Sequence, residues 1–233
     1  MLQNLSTGEN MTEKTGTRHK PSLQDQRTAM RLKIARDILD VVQQESELRE
    51  RLGAHGYDAE RLAEGRRLLE GAERAYARRQ HQLGAVQAAD AAQQTAFQNV
   101  RRRYVALRRT CRVVFTEPGQ QIALGVTGKI EDKLDLFLPL CALTYNTILN
   151  NQAYSDLLGT YGFTLERLQS EKDSLDALVG MIQNTADTRN QAELATRERN
   201  SCLNELVLWL VRLRSIALDA TADRPDLAAK INI

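Results

Sequence analysis

Apolar side chains recur every three or four residues along most of this chain, which is the spacing of one face of an α-helix. The segments 62–114 and 168–217 each keep one such register from end to end. A shorter stretch with the same spacing, residues 30–52, carries Met30, Ile34, Ile38, Val41, Leu48 and Leu52. The pattern therefore predicts an all-α protein.

An eleven-residue segment occurs twice, as LGAHGYDAERL at 52–62 and LGTYGFTLERL at 158–168, with six identical positions. Its glycines are typical of helix C-termini, where the chain turns left-handed; they are Gly53, Gly56, Gly159 and Gly162. Asp58 and Thr164 follow as favourable N-caps for a second helix. Each copy predicts the end of one helix, a tight reversal and the start of the next.

The chain is therefore interpreted as an internal duplication of a short helix, a glycine turn and a long helix. We expect an elongated four-helix bundle with coiled-coil-like packing. Its segments are a flexible polar tail (1–22, with Met11 a second candidate start), a first repeat (23–116), a glycine-rich connector (117–128), a second repeat (129–219) and a C-terminal tail (220–233).

The alternative is a pair of three-helix units, with turns near Gly84 and within 184–191. An unbroken register favours two continuous helices of about 55 residues, roughly 80 Å long each, because a loop normally interrupts the phase. Pro139 is expected to kink the helix that precedes the second glycine turn, or to mark an early turn there.

Composition narrows the class of protein. With 42% hydrophobic and 27% charged residues among 233, the chain resembles a folded protein and not a disordered one. The formal charge of +2 selects neither for nor against nucleic acid. The longest apolar runs, 136–143 and 206–211, are shorter than the roughly 20 residues of a transmembrane helix.

Residues that carry chemistry are sparse. The histidines His19, His55 and His81 are not spaced as metal ligands. The cysteines Cys111, Cys141 and Cys202 lie far apart in apolar helical contexts, which predicts core thiols and a reducing, cytoplasmic location. We expect no catalytic site, cofactor or metal. An enzyme or cofactor binder that uses the bundle interior is kept as a third interpretation.

Positive charge is concentrated in residues 99–112, and no acid lies between Ala91 and Thr116. The six arginines all fall outside the apolar rows and predict a basic helix flank: Arg101, Arg102, Arg103, Arg108, Arg109 and Arg112. Such a flank fits nucleic acid, an anionic membrane face or an acidic protein surface. The simpler interpretation is a solvated face that pairs with glutamates of neighbouring helices.

The stretch 106 residues later, 205–218, keeps only two arginines, Arg212 and Arg214, and is far more apolar. Residues 206–211, LVLWLV, are apolar on all sides of a helix, which predicts burial on more than one side. The candidate self-association residues are Leu206, Leu208, Trp209 and Leu210. The leading hypothesis is a non-catalytic helical scaffold that forms homo-oligomers or binds another helical protein. The alternative is an anion- or nucleic-acid-binding module that uses the arginines.

Overall fold

The computed structural model describes residues 22–130 and 133–231, and within these ranges it contains helices and no strand. The all-α prediction is confirmed. In chain order the helices are α1 (Leu23–Gln44), α2 (Ser46–Ala54), α3 (Ala59–Val114), α4 (Pro118–Ala123), α5 (Leu134–Leu149), α6 (Gln152–Gly159), α7 (Leu165–Ala220) and α8 (Pro225–Ile231).

The two long helices, α3 and α7, are continuous, and each has 56 residues. The alternative with turns near Gly84 and within 184–191 is wrong. The polar residues there remain helical; the hydroxyls of Thr185 and Thr188 donate to carbonyls four residues earlier. Ion pairs join the helices in antiparallel order, Arg78 to Glu198 at 2.8 Å and Asp90 to Arg189 at 2.8 Å.

A pair of helices, and not one helix, precedes each glycine turn. The break between α1 and α2 is one extended residue, Glu45, and the break between α5 and α6 includes the extended residue Asn151. The Asn151 side chain caps α6 by accepting a hydrogen bond from the amide of Tyr154 at 3.3 Å. Pro139 lies inside α5 and ends no helix. A single extended residue scarcely disturbs the apolar spacing, so the sequence pattern did not reveal these breaks.

The connector and the C-terminal segment are more ordered than expected. Each contains a short helix that begins with a proline, whose fixed φ suits the first helical position. Leu124 and Val126 of the connector are buried, and so are Leu227 and Ile231 near the C-terminus. The prediction of a frayed tail at 220–233 is therefore wrong for its described part. The predicted N-terminal tail lies outside the described residues, except for Ser22, which caps α1.

The described residues divide into two compact units, and the first comprises residues 22–70 and 206–231. In its core the indole of Trp209 covers Gly65, so that an added Cβ would overlap the ring. Tyr57 meets this indole edge-on, with ring centroids 5.7 Å apart. Ion pairs join the segment before α8 to α2, Asp223 to Arg51 at 2.5 Å and Arg224 to Glu47 at 2.6 Å.

The second unit, Gly71–Glu205, buries aromatic residues of α3 and α5. The ring of Tyr104 stands edge-on to Phe137, with centroids 5.5 Å apart. The buried acid Glu171 accepts a hydrogen bond from the hydroxyl of Tyr145 at 2.9 Å and pairs with Arg167 at 2.9 Å. These partners offset the desolvation of its carboxylate, which would otherwise oppose folding.

The two glycine turns have matching geometry. Gly56 has φ +85° and Gly162 has φ +82°, and the amide of the next residue donates to the carbonyl of Leu52 or Leu158 at 2.9 and 3.1 Å. This pattern is a Schellman C-cap. The expectation that Gly53 and Gly159 turn left-handed is wrong, because both lie within the last helical turn.

The predicted N-caps are confirmed in both copies. The Asp58 carboxylate accepts a hydrogen bond from the amide of Arg61 at 2.9 Å. The Thr164 hydroxyl accepts one from the amide of Arg167 at 3.3 Å. The same two arginines lie over the rings of Tyr57 and Phe163. Each reversal is thus stabilised by the C-cap of the helix before it and by the N-cap of the helix after it.

We expect Gly56→Ala to lower the free energy of unfolding by about 1–2 kcal/mol, because an L-residue is strained at positive φ. Gly53→Ala is the matched control, since it lies three residues away in a helix and an added Cβ meets no atom within 4 Å at either position. The control is expected to be neutral or stabilising. Urea unfolding measures both, and equal effects of the two substitutions would contradict the assigned turn.

Candidate interaction surfaces

Three of the four candidate self-association residues belong to the core of the first unit. Leu206, Trp209 and Leu210 are buried, whereas 58% of Leu208 is exposed. Residues 206–211 are apolar on all sides of α7, but only some of these side chains are buried. The sequence pattern alone did not show which residues would remain outside.

A row of apolar side chains remains exposed on this part of α7. Leu208 and Val211 are each 58% exposed, Leu218 is 49% exposed, and Ser215 is an exposed polar member of the same row. We call these four residues the α7 seam. Their 3-4 spacing places them on one helix face, opposite the buried row that contains Leu206, Leu213 and Ala217. The sequence contains this 3-4 spacing. Because the neighbouring buried residues are apolar as well, the sequence alone did not distinguish the exposed row from them.

The six arginines do not form one solvated flank. Arg108 is only 5% exposed, and its guanidinium donates to the carbonyls of Thr127 at 2.9 Å and Gly128 at 2.7 Å. Arg112 is exposed but also holds the connector, donating to the carbonyls of Val126 at 2.7 Å and Gly128 at 3.2 Å. These two side chains anchor the connector on α3. In the sequence pattern Arg108 and Arg112 fall outside the apolar rows of α3. Their long side chains nevertheless reach the connector from the flank of the helix.

The other arginines face different surroundings. Arg103 donates to the hydroxyl of Ser174 at 3.1 Å, and Arg101 is half-buried. Arg102 and Arg109 are exposed, seven residues apart on one face of α3. These two side chains are therefore the part of the predicted basic flank that is most open to a ligand.

Arg108, Arg109 and Arg112 line one cavity of about 280 Å³, together with Val105, Val113 and Ile130. No carboxylate belongs to its described lining; Glu131 and Asp132, which follow Ile130 in sequence, lie outside the described residues. Burial lowers the pKa of Arg108, and the neighbouring charge of Arg112 lowers it further. The described wall of this cavity is therefore basic.

Four residues of α3, three of them arginines, correspond in their position along the helix to the four residues of the α7 seam. Helix α7 begins and ends 106 positions after α3. At that offset Arg102, Val105, Arg109 and Arg112 correspond to Leu208, Val211, Ser215 and Leu218. The same outward positions are therefore mostly basic on one long helix and mostly apolar on the other.

The paired stretch of α3 and α7 in the second unit has a shallow apolar groove of about 470 Å³. Leu83, Val86, Ala192 and Thr196 line it, and the charged side chains at its border are Arg189, Glu193 and Arg197. Glu193 and Arg197 pair with each other at 3.6 Å.

Two of the cysteine thiols are buried, and His55 contacts the backbone of α2. Among residues 22–130 and 133–231, no three His, Cys, Asp or Glu side chains are arranged to hold a metal ion. Burial raises the pKa of the Cys111 thiol to about 12 and also raises that of Cys141. The Nδ1 atom of His55 lies 2.9 Å from the carbonyl oxygen of Arg51. Within residues 22–130 and 133–231, none of the helices combines the length and the hydropathy that a membrane-spanning segment requires.

No protein-family model, curated protein or solved structure matches this chain. The surfaces described above are therefore the only basis for a functional proposal.

We expect Arg108→Met to lower the free energy of unfolding by about 1–3 kcal/mol, because the carbonyls of Thr127 and Gly128 lose a charged donor. Arg109→Gln, one position along on the exposed face, is the control and is expected to change stability by less than about 0.5 kcal/mol. Chemical unfolding followed by circular dichroism measures both. A neutral Arg108→Met would contradict the anchoring role of this side chain.

Proposed function

We propose that this protein is a non-catalytic helical scaffold that self-associates through the α7 seam. The observation that carries the proposal is the exposure of Leu208, Val211 and Leu218 on one face of a helix, at coiled-coil spacing. Single exposed leucines are ordinary on protein surfaces, but a contiguous row is typical of a contact site.

The proposal includes an internal duplication, in which α1–α4 and α5–α8 are two copies of one unit. Three observations support it: the long helices have equal length, the glycine turns share their hydrogen bonds, and a short helix follows each long helix at nearly the same offset. In this proposal α3 and α7 form an antiparallel, coiled-coil-like bundle with their shorter neighbours.

The duplication supplies an internal comparison for the seam. Arg102, Arg109 and Arg112 occupy on α3 the positions of Leu208, Ser215 and Leu218 on α7. Because α3 is helical with arginine at these positions, an apolar side chain is not required there for the helix itself. Contact with a further apolar surface accounts for the leucines of α7, since exposed apolar area gains free energy when it leaves water.

We expect the wild-type chain to self-associate at micromolar concentrations, and the triple variant Leu208→Arg, Ser215→Arg and Leu218→Arg to be monomeric. The substitutions place the charged residues of one copy on the other, so helicity is expected to be retained. Leu194→Arg is the control, because Leu194 is 61% exposed on α7 but lies in the second unit.

Size-exclusion chromatography with light scattering over a concentration series measures the mass, and circular dichroism confirms folding. A wild-type chain that stays monomeric throughout would refute self-association. A triple variant that associates like wild type would exclude the seam.

A second candidate function, binding of polyanions, is favoured by the basic cavity wall and by the exposure of Arg102 and Arg109. No carboxylate in the described lining competes with a bound anion. Guanidinium groups bind phosphate and sulfate oxygens with paired hydrogen bonds, so a sulfated or phosphorylated polymer suits this surface.

We expect the double variant Arg102→Gln and Arg109→Gln to elute from heparin at lower salt than wild type. The matched control is Arg27→Gln with Arg31→Gln, which removes the same charge from exposed positions on α1. Equal elution of the two double variants would show that retention reflects net charge alone, and would remove this candidate.

A further inference from the structure

We infer that the cavity lined by Arg108, Arg109 and Arg112 binds a small phosphate monoester. The three guanidinium groups hold the phosphate, and the apolar part of the cavity covers a short organic substituent of the ester. The inference rests on the second candidate function, the binding of anions, and specifies the class of ligand. With a volume of about 280 Å³ the cavity lies at the small end of ligand sites, so it suits one phosphorylated group and not a polymer.

One face of α3 forms most of the described lining. Five residues of this helix contribute, and their 3-4 spacing places them beside one another: Val105, Arg108, Arg109, Arg112 and Val113. Ile130, which follows the connector, completes the described lining. All six residues belong to the second unit, so the site lies within one compact body.

The buried, positively charged side chain of Arg108 carries the inference. Both of its hydrogen bonds to the carbonyls of Thr127 and Gly128 use Nη2, and its buried Nε has no partner among the described residues. Carbonyl oxygens have no net charge, so they position the guanidinium without neutralising it. Burial of a cation is unfavourable unless an anion pairs with it, and a phosphate group in the cavity provides that anion.

Arg112 and Arg109 add further donors to the same wall. Arg112 binds the connector through Nε and Nη2, which leaves its Nη1 open and fixes the side chain before a ligand arrives. A positioned donor loses less conformational entropy on binding than a mobile one. Arg109 is exposed and, within residues 22–130 and 133–231, forms no hydrogen bond or ion pair. Anchoring of the connector therefore does not explain its presence in this wall.

Repulsion among the three arginines favours a dianion as the ligand. Like charges four residues apart on a helix, such as Arg108 and Arg112, destabilise it. Helix α3 has no acidic residue from Ala91 to its end. A phosphate monoester carries a charge of about −1.5 to −2 at pH 7 and accepts paired hydrogen bonds from guanidinium groups, so it offsets this repulsion better than a monoanion.

The rest of the lining is apolar and favours an ester over inorganic phosphate. Val113 is 69% exposed, and Val105 and Ile130 are partly buried. Contact with an organic substituent removes this surface from water, which contributes free energy to binding. The ligand therefore combines a phosphate dianion with a small apolar group.

Phenyl phosphate is the probe, and the full chain is titrated with it at low ionic strength while amide NMR shifts are recorded. We expect a dissociation constant in about the millimolar range, because the ligand has few atoms. Arg109→Gln is expected to bind roughly tenfold more weakly, because a charge-assisted hydrogen bond is lost. The matched control Arg31→Gln removes the same charge from an exposed position on α1 and is expected to bind like wild type. Val113→Ala is expected to weaken the binding of phenyl phosphate by about threefold and to leave that of inorganic phosphate unchanged.

Circular dichroism and urea unfolding check that the variants fold like wild type. Absence of phenyl phosphate binding, or equal weakening by Arg109→Gln and Arg31→Gln, would overturn this ligand site. Heparin retention that depends on Arg102 and Arg109 would then leave the second candidate function standing, and loss of both would remove it too. Binding seen only after Glu131→Gln and Asp132→Asn would assign the cavity to carboxylates of the chain itself and would equally overturn the site.

Discussion

The rest of the structure depends on the burial of one 3-4 row of apolar side chains along each of α3 and α7. In the first unit the row includes Leu69, Leu206 and Leu213, which are all buried. In the second unit Leu107 and Leu175 have the same environment. A helix of 56 residues needs no turn signal to persist, but its rows must meet apolar neighbours at every turn, because propensity alone stabilises a helix only weakly. The short helices α1, α2, α5 and α6 supply such neighbours.

Two buried charged side chains of this arrangement, Glu171 and Arg108, are held by hydrogen bonds. Glu171 is buried beside an apolar row and is held by a hydroxyl and a guanidinium, from Tyr145 and Arg167. Arg108 is buried as well, yet its donors reach backbone carbonyls and not a carboxylate. The positive charge at this place is therefore not neutralised by its hydrogen bonds. The cavity beside it is accordingly basic, although the six arginines were expected to share one solvated face.

The sequence predicted those features that depend on periodicity and on helix-end chemistry. The continuity of α3 and α7 follows from an unbroken register, and the caps at Asp58 and Thr164 follow from side chains suited to accept from free amides. It did not predict the extended residue Glu45, because one residue outside a helix barely shifts the apolar phase. Nor did it locate the left-handed glycine correctly, since Gly53 and Gly56 have equal intrinsic freedom and only the three-dimensional reversal distinguishes them. The burial of Arg108 depended on the path of the connector, which no local pattern encodes.

The comparison between the two long helices bears most directly on the proposed function. Corresponding buried positions on α3 and α7 need side chains of similar volume and polarity, because each helix buries one apolar row. Outward positions on the two helices need not match in side-chain volume or polarity. A difference in polarity between them therefore reflects what each helix face contacts. On α3 the outward residues Arg102 and Arg109 are fully compatible with water. On α7 the outward residues include Leu208 and Leu218, whose exposed area is unfavourable unless a further surface covers it. In the proposed scaffold of two copies of one unit, α7 carries a contact site at positions where α3 keeps a solvated face.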